Sequence, residues 1–162
     1  MSLSDRRIFL LSAAALAGCG FTPVYGPGGS ASALTGHIAF DPPSDPAGFA
    51  LVRQLERRLG IAQSPAYRLS ADIARGEQEL GVTSDQTITR YNVLGRVDFV
   101  LRRTDTGAPV TSGSVESFAS YSATGTPFAT QTAQSDANER LMVILADQIV
   151  ARLLATSEEW AS

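Results

Sequence analysis

The chain holds a single thiol, Cys19, and a single imidazole, His37, and all 13 of its basic residues are arginines. One cysteine forms no internal disulfide. A zinc site built on several His or Cys ligands is excluded by the same arithmetic. Without lysine there is no Schiff-base chemistry and no phosphate loop of the lysine-bearing kind. A Ser-His-Asp set would have to use His37, which sits in a short apolar run and reads as a strand or linker histidine without a catalytic role. Glu77 and Glu79 are the pair that acid–base work would need; two residues apart on a strand, they read as a solvated face. The sequence contains no G-x-S-x-G, no H-E-x-x-H and no glycine-rich phosphate loop. No catalytic residue, cofactor or metal is therefore expected, and a net charge of −3 offers no bulk attraction for nucleic acid.

What remains is Cys19 and the arginines. Arg6 and Arg7 precede a short apolar run, Ile8 to Leu16, and small residues follow, which is the layout of a secretory signal. The run is too short to span a bilayer as a helix. Leu16-Ala17-Gly18-Cys19 matches the lipobox of bacterial lipoproteins, in which the cysteine thiol receives a diacylglyceryl group; an ordinary signal peptide with a chance cysteine is the bland alternative. Two or more acyl chains give stable anchoring where one is marginal. Asp5-Arg6-Arg7-Ile8-Phe9-Leu10 also resembles a twin-arginine export motif but departs from it at Asp5 and Leu11, and ordinary Sec export is the expectation. Gly20, where an aspartate would favour inner-membrane retention, points to the outer membrane.

A chain of 162 residues suits one domain plus a targeting segment. The expected division is a signal peptide over 1–18, a lipidated N-terminus and flexible linker over 19–35, and one domain over 36–157. The Gly-, Ser- and Ala-rich stretch Gly26 to Thr35 would set the domain about 20 Å from the membrane if random coil. His37-Ile38-Ala39-Phe40 is a strand candidate that stops at Asp41-Pro42-Pro43. Asp45 and Pro46 suit the N-cap and first position of a helix whose apolar face is Val52, Leu55 and Leu59, widened by Leu51, with Gly60 as its stop. Three strands follow. In the first, Tyr67, Leu69, Ala71 and Ile73 alternate with Arg68, Ser70 and Asp72. In the second, unusually long, Tyr91, Val93, Val97, Phe99 and Leu101 fall on one parity. Arg90, Asn92, Arg96, Asp98 and Arg102 fall on the other. The third runs from about Val110 to Tyr121, with Val115, Ala119 and Tyr121 inward. A final helix is predicted from near Gln134 to Thr156, with Asp136-Ala137-Asn138-Glu139 as capping box and Ala137, Leu141, Ile144, Leu145 and Ile149 as apolar face. The order β-α-β-β-β-α implies an α+β two-layer sandwich, both helices on one face of a four-stranded sheet and the other face polar.

The sequence after the lipobox, Cys19-Gly20-Phe21-Thr22-Pro23-Val24-Tyr25-Gly26, resembles the C-G-F-x-P-x-Y-G start of the lipopolysaccharide-assembly lipoprotein LptE (RlpB) family in its alphaproteobacterial form. The resemblance continues through Thr89-Arg90-Tyr91, Ser120-Tyr121 and Leu145-Ala146-Asp147-Gln148-Ile149; the stretch from Ala62 to Gln86 has little to match. It implies a non-catalytic outer-membrane lipoprotein on the periplasmic side. Such a protein partners and plugs an LptD-type β-barrel, assists its assembly, and helps deliver lipopolysaccharide to the outer leaflet. The alternatives are an envelope scaffold or chaperone without lipopolysaccharide contact and, more weakly, a lipid-anchored hydrolase.

Under that resemblance Arg90, Arg96 and Arg102 are the contact candidates for lipopolysaccharide or the barrel. Even spacing puts all three on one face of an unbroken strand, and guanidinium pairs bidentately with phosphate. Arg90 leads because it lies beside the polar loop Thr83 to Thr87; the bland alternative is solvated strand charge balanced in part by Asp98.

Overall fold

Asp45 does two jobs at the start of the first helix in this computed structural model. Its carboxylate accepts the Gly48 N–H at 2.8 Å, capping the helix, and takes the Arg75 guanidinium at 2.6 Å, tying that cap to the sheet. Gly48 allows the close approach of Pro43 there, since a Cβ would lie 3.0 Å from Pro43 Cβ and crowd it. The structure describes residues 34–82, 88–123 and 125–160. The signal-sequence, lipobox and export readings, most of the linker, and the loop at 83–87 lie outside them.

The elements are β1 (Ile38–Phe40), α1 (Pro46–Leu59), β2 (Tyr67–Val82), β3 (Ile88–Arg103), β4 (Pro109–Ser122) and α2 (Pro127–Trp160). The sheet order is β1-β2-β3-β4, with β1 parallel to β2 and the rest antiparallel. This is the expected β-α-β-β-β-α two-layer α+β arrangement: one crossover through α1, then a meander. Gly60 ends α1 with φ 76° and donates to the Glu56 carbonyl at 2.8 Å. Leu34, at the end of the expected linker, is fully buried in the core, and the neighbouring Gly36 N–H bonds the Leu59 carbonyl at 2.7 Å.

One parity of each strand builds the core. Leu69 of β2, Val93, Val97, Phe99 and Leu101 of β3, and Val115, Ala119 and Tyr121 of β4 are buried with Leu51, Leu55 and Leu59 of α1. From α2 come Ala137, Leu141, Leu145, Ile149 and Leu153. Gly95 sits on the same parity, and a Cβ there would come within 2.9 Å of both Leu141 and Leu145, so α2 crosses the sheet at the residue with no side chain. Trp160 closes the far end edge-on to Tyr67, with ring centroids 5.3 Å apart.

Three sequence expectations are corrected. The last helix starts at Pro127, two turns before Gln134, with the Thr126 hydroxyl accepting the Ala129 N–H at 3.3 Å. These first turns are polar or exposed, Phe128 being 80% exposed, so they carry no apolar period. The proposed capping box at Asp136–Glu139 is accordingly mid-helix, and Glu139 pairs with Arg53 of α1 instead. Ile144 is 39% exposed and is not on the core face; the row buried beside Leu141 and Leu145 is Met142 and Ala146. β2 runs from Tyr67 to Val82, so Glu77 and Glu79 lie on a strand as expected.

Candidate functional site

The second parity of the strands forms the open sheet face. β3 places Arg90, Asn92, Arg96, Asp98 and Arg102 there, all opposite the buried set, as the alternation predicts. Arg90 to Arg96 and Arg96 to Arg102 are each six residues of strand, about 20 Å. No single phosphate is reached by all three.

Their surroundings differ. The Arg96 guanidinium bonds both oxygens of Asp98, at 2.8 and 3.0 Å, and one of Glu116 at 2.5 Å. Register explains this: Asp98 is the next outward residue on β3, and Glu116 is the cross-strand partner of Arg96. These bonds raise the Arg96 pKa still further and hold Asp98 below its ordinary range. Arg102 reaches only the Gly107 carbonyl in the β3–β4 turn, at 3.4 Å. Arg90 is exposed, registered between Gly81 and Ser122, and its guanidinium has no partner among the described residues. Among the described residues neither Arg90 nor Arg102 has a carboxylate partner, and Arg90 has no hydrogen-bond partner either.

The face is largely polar, as expected, apart from the half-buried Val100 and an exposed apolar pair that sequence reasoning missed. Leu94 and Phe118 are cross-strand partners and are 39% and 57% exposed. The signal was legible: Leu94 interrupts a parity otherwise held by Arg90, Asn92, Arg96 and Asp98. Between this pair and Arg90 lie Asn92 and Ser120, joined by a 2.6 Å hydrogen bond in which the Ser120 hydroxyl donates. Along this face an exposed cation and an exposed apolar pair are thus separated by a polar pair of which Ser120 is exposed and Asn92 is buried. Arg90 and Leu94 are four strand residues apart, about 13 Å.

The remaining chemical candidates sit elsewhere. Glu77 is on the helix side of β2, where it accepts the Tyr121 hydroxyl at 2.5 Å and the Gln134 amide at 3.1 Å. Burial first, and then Glu77, push the Tyr121 phenol well above its usual value. Glu79 is exposed on the same parity. His37 is exposed in the turn before β1. Among the described residues no group of three or more His, Cys, Asp or Glu side chains is placed to hold a metal.

Fold and face together define a class: a small two-layer α+β domain with both helices on one sheet face and charged, hydrogen-bonding and apolar groups on the other. Within that class the chain belongs to the LptE family, described as lipopolysaccharide-assembly, whose family model matches residues 35–153. Its fold is similar to that of a Caulobacter crescentus protein described as a lipoprotein, with TM-score 0.67 and 27% identity over 82% of this chain and 98% of that one. A minor lipoprotein from Acinetobacter baumannii shares the fold at TM-score 0.61 and 19% identity, covering 75% of this chain and 92% of that one. The rare lipoprotein B of Shewanella oneidensis does so at 0.59 and 12%, covering 76% and 96%. A search of curated proteins returns no match.

Proposed function

We propose that this chain is a non-catalytic lipoprotein, acylated at Cys19 and held on the periplasmic side of the outer membrane. There it partners and plugs an LptD-type β-barrel, assists barrel assembly, and contacts lipopolysaccharide on its way to the outer leaflet. Family membership supports the assembly role. The observation that carries lipopolysaccharide contact is on the outward strand face: an exposed Arg90 guanidinium with no partner among the described residues, about 13 Å along the strand from the exposed Leu94–Phe118 pair. An amphiphile bearing phosphates beside acyl chains matches that order of cation, polar spacer and apolar surface. Guanidinium supplies the phosphate contact, and the apolar pair gains by leaving water. Arg90 is the leading contact. Arg96 is already neutralised by its own carboxylates and Arg102 sits at the opposite end of the strand, so each contributes less.

Charge reversal tests this reading. Arg90→Asp removes a cation that no described residue uses, so the melting temperature should stay within a few degrees. Lipopolysaccharide or barrel affinity should fall about tenfold to a hundredfold, the range expected for a lost charge-assisted hydrogen bond. Unchanged affinity for both, measured by co-purification and by binding of labelled lipopolysaccharide, would reduce Arg90 to solvated surface charge. Unfolding would make it a structural residue.

A further inference from the structure

The two outer edges of the sheet are treated differently. On the β4 edge, arginines from α2 reach over the strand: Arg140 donates to the Ser120 carbonyl at 3.1 Å and Arg152 to the Ser114 carbonyl at 2.7 Å. Side chains that occupy an edge strand's carbonyls keep other strands from pairing with it. Among the described residues no side chain caps the outward carbonyls of the β2 edge in this way. β1 pairs with β2 only through Tyr67, Arg68 and Leu69, and Pro42-Pro43 then turn the chain away. The Tyr67 N–H bonds the His37 carbonyl at 3.1 Å, and the Asp41 N–H bonds the Leu69 carbonyl at 3.0 Å. Odd-numbered residues of β2 therefore aim their backbone groups at this edge. By strand alternation the same holds for Ala71, Ile73, Arg75, Glu77 and Glu79. Among the described residues nothing pairs with those groups, along about 30 Å of strand.

Two further features lie along this open edge. Immediately past the last β1 pair is a groove of about 390 Å³ with Phe40 and Ile73 at its apolar floor and Asp41, Ser44, Asp45 and Asp72 at its polar rim. Farther along, the charge is acidic. Arg75 is committed to Asp45, and Glu77 accepts only from neutral donors. Asp72 and Glu79 have no partner among the described residues.

We propose that the β2 edge from Ala71 to Glu79 is a strand-addition site for an extended segment of a partner polypeptide. The segment seats an apolar side chain in the groove by Ile73 and sets basic side chains beside Glu77 and Glu79. Main-chain hydrogen bonds supply affinity in this mode, and alternate side chains supply specificity. A second copy of this chain fits less well, because it brings the same acidic row to the interface. The site uses neither Arg90 nor the Leu94–Phe118 pair, so it stands or falls independently of the lipopolysaccharide reading.

The test uses the full chain purified in mild detergent and a synthetic peptide of alternating valine and lysine, about nine residues long to match the free edge. A twin peptide carries N-methyl groups on the residues whose N–H would face β2, which keeps charge and shape but removes the donors. The proposal predicts slowed amide exchange at Ala71, Ile73, Arg75, Glu77 and Glu79 with the first peptide. It predicts affinity at least about tenfold weaker for the twin, since several backbone hydrogen bonds are lost together. Glu79→Lys, a change at an exposed side chain, should also weaken the first peptide several-fold. Equal binding of the two peptides would reduce the effect to charge attraction and overturn the proposal. So would protection confined to other residues, or no binding. Protection that rises with protein concentration in the absence of peptide would assign the edge to a second copy and overturn it too.

Discussion

Tyr121 stacks on Tyr91 with centroids 5.2 Å apart and donates a hydrogen bond to Glu77 across the sheet. Because burial and Glu77 raise the phenol above its usual 10, the folded state holds this proton where the unfolded chain releases it. Below pH 10 both states are protonated and the group adds no pH dependence. As pH rises from 10 towards the folded value, stability is lost. Urea unfolding at about pH 9 and pH 11 should show that loss in the wild type and a smaller one in Tyr121→Phe; equal losses would mean the phenol is not linked to folding. The inward parity of Tyr121 was legible from alternation, but its partner was not. Glu77 lies 44 residues away, and only the register of three strands brings the two together. The arginines repeat the lesson. Their shared face follows from even spacing alone, while the difference between a neutralised Arg96 and an unpartnered Arg90 depends on Glu116 falling opposite Arg96. Pairing register between strands is a long-range property, which one sequence does not print.

Elements were legible where local chemistry and apolar period agree. Asp45, Pro46 and Gly60 mark α1 because a cap, a fixed φ and a left-handed stop are each local requirements. α2 was misjudged at its start because its first turns pack little, leaving Thr126-Pro127 as the only signal. Thr126→Ala should therefore cost only about 0.5–1 kcal/mol, at the low end for an N-cap; chemical denaturation would show it, and a cost of several kcal/mol would make the first turns part of the core. The middle of α2 is different. Leu145 is fully buried, so Leu145→Ala should cost about 2–5 kcal/mol. Gly95→Ala drives a methyl into Leu141 and Leu145 and should cost about 1–3 kcal/mol by overpacking. A change within about 0.5 kcal/mol at both positions would mean that α2 does not pack on β3 as described.

At the scale of the molecule, both helices pack on one sheet face, and among the described residues side chains cap the β4 edge but not the β2 edge. The architecture was legible because six elements in the order β-α-β-β-β-α leave few ways to bury every apolar face. The surfaces that remain were less so: the Leu94–Phe118 pair and the bare β2 edge emerge only once the strands are aligned. The proposed membrane anchor is Cys19, outside the described residues. Cys19→Ala should abolish labelling by radioactive palmitate and leave the protein soluble or uncleaved; persistent labelling would refute acylation at that cysteine. The central claim is partnership with a β-barrel in lipopolysaccharide delivery, and its most direct measurement is a mild-detergent pull-down of the tagged mature protein from its own envelope. The account predicts a stoichiometric outer-membrane β-barrel with lipopolysaccharide in the eluate. Recovery of the lipoprotein without such a barrel would contradict it.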